Sequence, residues 1–312
     1  MDGAFMTLVF RLILLFVVIA AGYISYKFKI LNEQTGRQLT DYLMKIAIPV
    51  LLVTAVGTEP ISDGSVNLLY CGIIMACYYL FGFGGMWIYA RIRGYSRARR
   101  AVTTCMSVIP NVAFIGLPLT KLIVGDQAVP YIGIMMTAFN VVFFTVGMTM
   151  FQKKKERFDW HSLVTPCNLA TVVMCVLLIF NVQLNAQLYE VLNQIGSMVT
   201  PLALLIIGIN LAKINLGDAL KNGTIWCLSF MKLLVFPVLV SAIIMPFGFP
   251  TDMRMALIIG LGCPGSALAA VIANQNDMEP ELASQSVAHS TAFCIITLPV
   301  LIIAAEKMMG LI

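Results

Sequence analysis

The chain has 312 residues, of which 60% are hydrophobic and 11% are charged, and its formal net charge is +5. A soluble domain carries about 25% charged residues, and a soluble core of this length cannot hide so much apolar surface. The mean hydropathy of +0.91 therefore indicates an integral membrane protein. This composition excludes a soluble enzyme, a nucleic-acid-binding domain, a coiled coil and a disordered chain.

Apolar runs long enough to cross a bilayer follow one another along the chain, since a spanning helix needs about 20 apolar residues. Ten spans are predicted, at residues 5–26, 38–57, 66–90, 101–123, 127–151, 162–181, 190–212, 223–247, 253–275 and 282–305. The predicted fold class is an all-α membrane protein. The sequence contains no Walker motif, so direct use of ATP is not expected. No cofactor is expected either, and the coupling ion, H⁺ or Na⁺, stays open.

Positive charges are concentrated in alternate loops. One set of loops contains Lys27, Lys29, Arg37, Arg91, Arg93, Arg97, Arg99, Arg100, Lys153, Lys154, Lys155, Arg157, Lys213 and Lys221. The other set contains Lys121, Arg254 and Lys307. Because lysine and arginine are retained on the cytoplasmic side, the first set is predicted to be cytoplasmic and both termini to lie outside.

Prolines recur at a nearly constant offset in the two halves of the chain. The pairs are Pro49 and Pro201, Pro110 and Pro264, and Pro130 and Pro280, which are 152, 154 and 150 positions apart. The chain therefore divides into a first half at 1–151, a basic cytoplasmic loop at 152–161 and a second half at 162–312. Five spans per half give the second copy the opposite orientation, an inverted repeat typical of secondary transporters. Chance is the alternative, because proline is common in membrane helices.

Spans four and nine carry the strongest helix-breaking signals. In span four, Pro110 and Pro118 enclose Gly116, and Asn111 follows the first proline directly. In span nine, Pro264 is followed by Gly265 and Ser266, so this span also has a proline and a glycine near its middle. Proline removes a backbone donor and interrupts a helix, and irregular backbone in a bilayer is tolerated where it is buried or lines a cavity.

Two half-helix N-termini meeting at mid-membrane would favour an anion, and a carboxylate is the natural ligand. The alternative is that the prolines only kink packed helices. Three more polar residues inside spans are candidates: Lys232 for an anionic substrate, and Asn140 and His289 as further polar contacts. Lys232 pairing with a carbonyl, Asn140 bonding between helices and His289 packing in the interior are the structural alternatives. The predicted substrate-binding residues are Asn111, Pro110, Gly116, Pro118, Pro264, Gly265, Ser266, Lys232, Asn140 and His289.

The segment Pro110–Leu119, PNVAFIGLPL, resembles the PNxxxxGxPL element of the auxin efflux carrier family. That family includes plant PIN-type auxin exporters and bacterial malate and malonate permeases. Gly22-Tyr23 in span one and Pro49 in span two are similar to other family segments. The resemblance implies ten helices in two inverted five-helix repeats, an elevator-type carrier and a homodimer.

The same resemblance implies that spans four and nine cross at their breaks, with an organic anion bound there. Asn111 matches the substrate-contacting asparagine, and Pro264 matches the second crossover proline. Gly265 and Ala269 depart from the glutamine and proline of plant members. A small carboxylate or dicarboxylate is therefore expected ahead of an auxin-like acid, which stays open. The short loops and compact size indicate a multi-pass protein of the bacterial inner membrane.

Two other functions remain open from the sequence. A sodium-coupled symporter of the bile-acid type would need oxygen ligands near the crossover, for which Asn140, Asn210 and Ser266 are candidates. An intramembrane serine hydrolase would use Ser266 and His289 as a nucleophile and base. The expected partners are a small organic anion, the lipid bilayer and a second copy of the chain, without nucleic acid.

Overall fold

A computed structural model of the chain describes residues 2–57, 64–151, 163–213 and 219–311. Within these ranges the regular structure is helical, and extended pairing is limited to a single bridge between Pro110 and Gly265. The prediction of an all-α protein is therefore confirmed. The predicted basic loop at 152–161 lies outside the described residues.

The helices follow one another with short connections. In chain order they are α1 (Asp2–Lys27), α2 (Glu33–Tyr42), α3 (Ile48–Thr54), α4 (Gly64–Ile92), α5 (Arg97–Val108), α6 (Leu117–Ile123), α7 (Val129–Val142), α8 (Met148–Phe151), α9 (Pro166–Ile179), α10 (Ala186–Ser197), α11 (Val199–Lys213), α12 (Gly223–Phe230), α13 (Phe236–Ile244), α14 (Thr251–Leu261), α15 (Ala267–Gln275) and α16 (Pro280–Met308). Single 3₁₀ turns precede α7 and α12.

Several helices are joined by a single π-helical turn. These turns are Leu43–Ala47, Val112–Gly116, Phe143–Gly147 and Met231–Val235. Pro49, Pro118 and Pro237 each lie at the start of the helix that follows such a turn. Because proline has no backbone N–H, the i to i−4 ladder is interrupted there, and a wider turn accommodates the missing bond.

Five helical segments among the described residues are long and apolar enough to cross a membrane. They are Val66–Ile92, Asp126–Phe151, Ala186–Lys213, Gly223–Ile244 and Pro280–Met308. Shorter apolar helices occur at Ile13–Lys27, Val112–Ile123 and Pro166–Ile179. Large apolar side chains also remain exposed, such as Phe81 at 73%. A surface of this kind fits a lipid environment, as the composition predicted.

Helices α1 and α11 pack with their backbones in close contact. A Cβ added at Gly22 would overlap the backbone of Leu205, and one added at Gly208 would overlap the Ile19 carbonyl. Small residues are typical of such membrane helix pairs, because they let two backbones approach. These glycines therefore fix α1 against α11.

We expect Gly208→Ala to lower the melting temperature of the purified protein in detergent. The added methyl group overlaps the Ile19 carbonyl, and overpacking costs about 1–3 kcal/mol. Intrinsic tryptophan fluorescence on heating measures the change. Gly84→Ala in α4 is the matched control, because a Cβ there meets open space and alanine favours a helix by roughly 0.5–1 kcal/mol. Equal melting temperatures for the two variants would contradict the close packing.

Candidate functional site

The two interrupted helices meet at their breaks. Helix α5 ends at Val108 and helical structure resumes at Val112, whereas α14 ends at Leu261 and α15 begins at Ala267. The helices at the predicted spans four and nine are therefore interrupted next to Pro110 and Pro264, as the sequence predicts.

Backbone hydrogen bonds join the two breaks. The Asn111 N–H donates to the Pro264 carbonyl at 2.8 Å, and the Ser266 N–H donates to the Ile109 carbonyl at 3.1 Å. This pairing is antiparallel. It gives partners to backbone groups that would otherwise be unpaired in an apolar interior.

Gly265 and Ser266 complete the second break. The Gly265 N–H donates to Ser290 Oγ at 3.1 Å, and a Cβ on Gly265 would lie 3.2 Å from the Met106 carbonyl oxygen. Ser266 Oγ accepts from the Ala269 N–H at 3.4 Å, which caps the start of α15. Five predicted site residues thus lie together: Pro110, Asn111, Pro264, Gly265 and Ser266.

Gly116 and Pro118 lie beside the crossover as packing residues. A Cβ on Gly116 would lie 3.3 Å from Cys263 Sγ and 3.5 Å from the Gly260 Cα. Gly116 therefore lets the two broken helices approach each other. Pro118 is buried at the beginning of α6. Neither residue lines the cavity described next.

A cavity of about 340 Å³ adjoins the crossover. Asn111, which precedes the helical segment at Val112, lines it, and so does Ala267, the first residue of α15. The remaining polar lining consists of Thr40, Asn210, Ser284 and Thr291. Among the described residues the lining contains no acidic or basic side chain. The cavity therefore offers neutral hydrogen-bonding groups and two helix N-termini.

The cavity continues into a charged opening of about 310 Å³, with which it shares Thr40 and Asn210. Arg37, Lys213 and the acidic residue Asp41 line this opening. Arg37 Nη2 lies 2.6 Å from Glu33 Oε1, and this hydrogen bond, with the charge of Lys213, lowers the pKa of Glu33. Arg37 and Lys213 belong to the set of basic residues that marks the predicted cytoplasmic side.

Lys232 is fully buried and does not line the cavity. Its Nζ donates to the Leu261 carbonyl at 3.0 Å. Leu261 is the last residue of α14, so the amine lies at the carboxyl end of a broken helix, where a cation is favoured. Of the two interpretations left open by the sequence, the structure has Lys232 bonded to a carbonyl.

Asn140 and His289 also lie away from the cavity lining. Asn140 Nδ2 donates to Asn168 Oδ1 at 2.6 Å, which ties α7 to α9. His289 Nδ1 and Ser229 Oγ are 2.8 Å apart. The His289 ring packs against Trp226, with ring centroids 4.6 Å apart.

The hydrolase alternative required a bond between Ser266 and His289. Their hydrogen bonds go elsewhere: Ser266 caps α15, and His289 bonds to Ser229. The dyad is therefore not assembled in the described structure.

Sequence reasoning missed several residues that the structure brings to the crossover. Thr40, Ser284 and Thr291 line the cavity, and Ser290 bonds to the Gly265 N–H. Asn210 was weighed as a sodium ligand and lines the same cavity. The available signal was the run of short hydroxyl side chains in α16, which is unusual in an apolar span.

Comparison with known proteins identifies the family of the chain. The model of the membrane transport protein family matches residues 7–302. The chain is 22% identical over 286 residues to an uncharacterized transporter of Methanothermobacter thermautotrophicus, covering 91% of this chain and 93% of that one. It is 19% identical over 299 residues to an uncharacterized transporter of Methanocaldococcus jannaschii, covering 92% and 95%. The chain therefore belongs to the membrane transport protein family, which includes the auxin efflux carriers it resembles, and it is an integral membrane transporter.

Proposed function

We propose that the protein is a secondary transporter of a small organic anion, a carboxylate or dicarboxylate, that binds in the crossover cavity. The observation that carries this proposal is that Asn111 and Ala267 line one cavity. Each stands at the start of the helix that follows a break. Helix N-termini present free N–H groups and a positive dipole end, and both favour an anion.

The lining also fits this class of ligand. Neutral donors such as Thr40, Asn210 and Thr291 can bond to a carboxylate without a fixed counter-charge. A volume of about 340 Å³ lies within the range of roughly 300–1,000 Å³ typical of small-molecule sites. For a dicarboxylate, the second carboxylate would point to the opening, where Lys213 lies with Asp41 and the Arg37–Glu33 pair.

We further propose that the chain forms ten spans in two inverted repeats, at 1–151 and 162–312. The antiparallel pairing of the breaks around Pro110 and Pro264 supports this architecture, because it relates equivalent positions of the two halves. Spans one, two, six and seven would form the scaffold of an elevator and the contact between two copies. The close packing of α1 on α11, and of α3 on α9 and α10, supports such a scaffold. The protein would lie in the bacterial inner membrane with both termini outside.

Sodium coupling has less support in the structure. Of the candidate oxygen ligands, Asn210 lines the cavity, but Asn140 bonds to Asn168. Ser266 Oγ accepts from the Ala269 N–H. Neither Asn140 nor Ser266 is among the residues that line the cavity with Asn210. We propose a carrier without catalytic activity.

Asn111→Ala is expected to weaken carboxylate binding and uptake by about 10- to 100-fold. A hydrogen bond to a charged group contributes roughly 1.5–3 kcal/mol, and the Asn111 side chain has no hydrogen-bond partner among the described residues. Binding is measured as the rise in melting temperature with acetate, malonate, malate or benzoate, and uptake in proteoliposomes. Asn193→Ala in α10, away from the cavity lining, is the control. Equal binding by both variants would refute the crossover site.

Asn210→Cys is expected to react with a membrane-impermeant thiol reagent added from the cytoplasmic side, because Asn210 is exposed at the charged opening. Gln127→Cys is expected to react from the other side. Gln127 is exposed and follows Asp126, which pairs with Lys121 of the second set of loops. Both variants are made with Cys77→Ser, which removes an exposed native thiol. Reaction of the Asn210→Cys variant from the outer side alone would contradict the proposed orientation.

A further inference from the structure

The two helices that lead into the breaks have their terminal carbonyls bonded by side chains of neighbouring segments. Tyr78 Oη donates to the Val108 carbonyl at the end of α5, at 2.6 Å. Lys232 Nζ donates to the Leu261 carbonyl at the end of α14, at 3.0 Å. Tyr78 and Lys232 are 154 positions apart in the sequence. Pro110 and Pro264 have the same separation, so the two donors occupy equivalent positions in the two halves.

A neutral hydroxyl is sufficient for this task in the first half. The Val108 carbonyl is satisfied by Tyr78 without any charge. Bonding the Leu261 carbonyl therefore does not require an amine that can carry a charge. The amine of Lys232 is also fully buried, in an environment where a charged group is costly. A role beyond capping would account for a lysine at this position.

The side chains that face Lys232 provide no counter-ion. Its Nζ lies 6.0 Å from the centre of the Tyr78 ring, and the thiols of Cys263 and Cys294 are its other titratable neighbours. One helical turn earlier, Ser229 bonds to His289. Among the described residues Lys232 forms no salt bridge. An ammonium at this position has one hydrogen-bonded carbonyl and no anion.

The crossover cavity is linked to Lys232 through two of its neighbours, Leu261 and Cys294. Leu261, which accepts from Lys232, lies three residues before Pro264 of the crossover. Cys294 follows Thr291 by nearly one turn of α16, and Thr291 lines the cavity. An anion in the cavity and a proton on Lys232 would therefore attract each other through a region of low dielectric. Two binding events that favour each other are linked reciprocally.

We propose that Lys232 is the proton-coupling residue of the transporter: its amine binds one proton when the anion occupies the crossover cavity and releases it when the anion leaves. This proposal rests on the proposed anion site. The proton comes from bulk water, binds the lone pair of Nζ and returns to water on the other side. One H⁺ then accompanies each anion, and Na⁺ is not needed.

The test is proton uptake on anion binding, with malonate, malate, acetate and benzoate as probes. Calorimetric titrations of the full-length protein in two buffers of different ionisation enthalpy give the number of protons taken up. For the wild type we expect up to one proton per anion, and an affinity that falls by up to about tenfold per pH unit as the pH rises. Binding should not depend on Na⁺.

Lys232→Arg is the decisive variant, because guanidinium stays protonated in proteins. It is expected to bind the anion with no proton uptake and a flat pH profile. Lys232→Met, which keeps the volume and loses the amine, should bind weakly and also without a pH slope. Tyr78→Phe is the matched control: it removes the equivalent carbonyl donor and should leave the proton count per anion unchanged.

The outcomes separate this proposal from the anion site itself. Binding of none of the four probes, or equal binding by Asn111→Ala, refutes the site. If the wild type binds and Asn111→Ala does not, an unchanged proton count in Lys232→Arg overturns the role of Lys232 alone. Sodium-dependent binding without proton uptake overturns it as well. If Tyr78→Phe also takes up no proton on anion binding, proton uptake depends on bonding of the helix-end carbonyls and not on the Lys232 amine.

Discussion

The structure depends on two interrupted helices that satisfy each other's backbone. Each break removes helical hydrogen bonds in an apolar interior, where unpaired N–H and C=O groups are costly. The bonds from Asn111 to Pro264 and from Ser266 to Ile109 restore partners across the crossover. Neither break has these partners without the other. The close contacts at Gly116 and Gly265 follow from this requirement, since both positions leave no room for a larger residue without displacing a neighbour.

The same arrangement separates the electrostatic ends of the helices. The carboxyl ends of α5 and α14 point to the donors Tyr78 and Lys232. The amino ends that follow the breaks are next to the cavity, through Asn111 and Ala267. A single crossover therefore has a side suited to a cation or a neutral donor and a side suited to an anion. The proposed anion site and the proposed role of Lys232 are two consequences of this one geometry.

Outside the crossover, some helices pack with their backbones in close contact, whereas the helices around the site enclose a cavity. Helices α1 and α11 are in backbone contact at Gly22 and Gly208. The cavity lies between α11 and α16 beside the crossover, and it opens toward Arg37 and Lys213. In an elevator mechanism the tightly packed helices would stay fixed while the crossover moves. A closely packed pair next to a cavity with both polar and apolar lining fits that division.

Features that depend on local chemistry follow from the sequence alone. Hydropathy indicates the membrane class. The prolines at 110 and 264 indicate the positions of the breaks, because a proline removes a backbone hydrogen bond from the helix that contains it. The PNVAFIGLPL segment was sufficient to identify the family. The sequence did not determine which polar side chains converge, since helical periodicity does not show which faces of distant helices meet. The packing of the helices is what brings Thr40 and Thr291 to one cavity, Asn140 to Asn168, and His289 to Ser229 instead of Ser266. These contacts join residues from separate helices, and their geometry follows from the packing around the crossover.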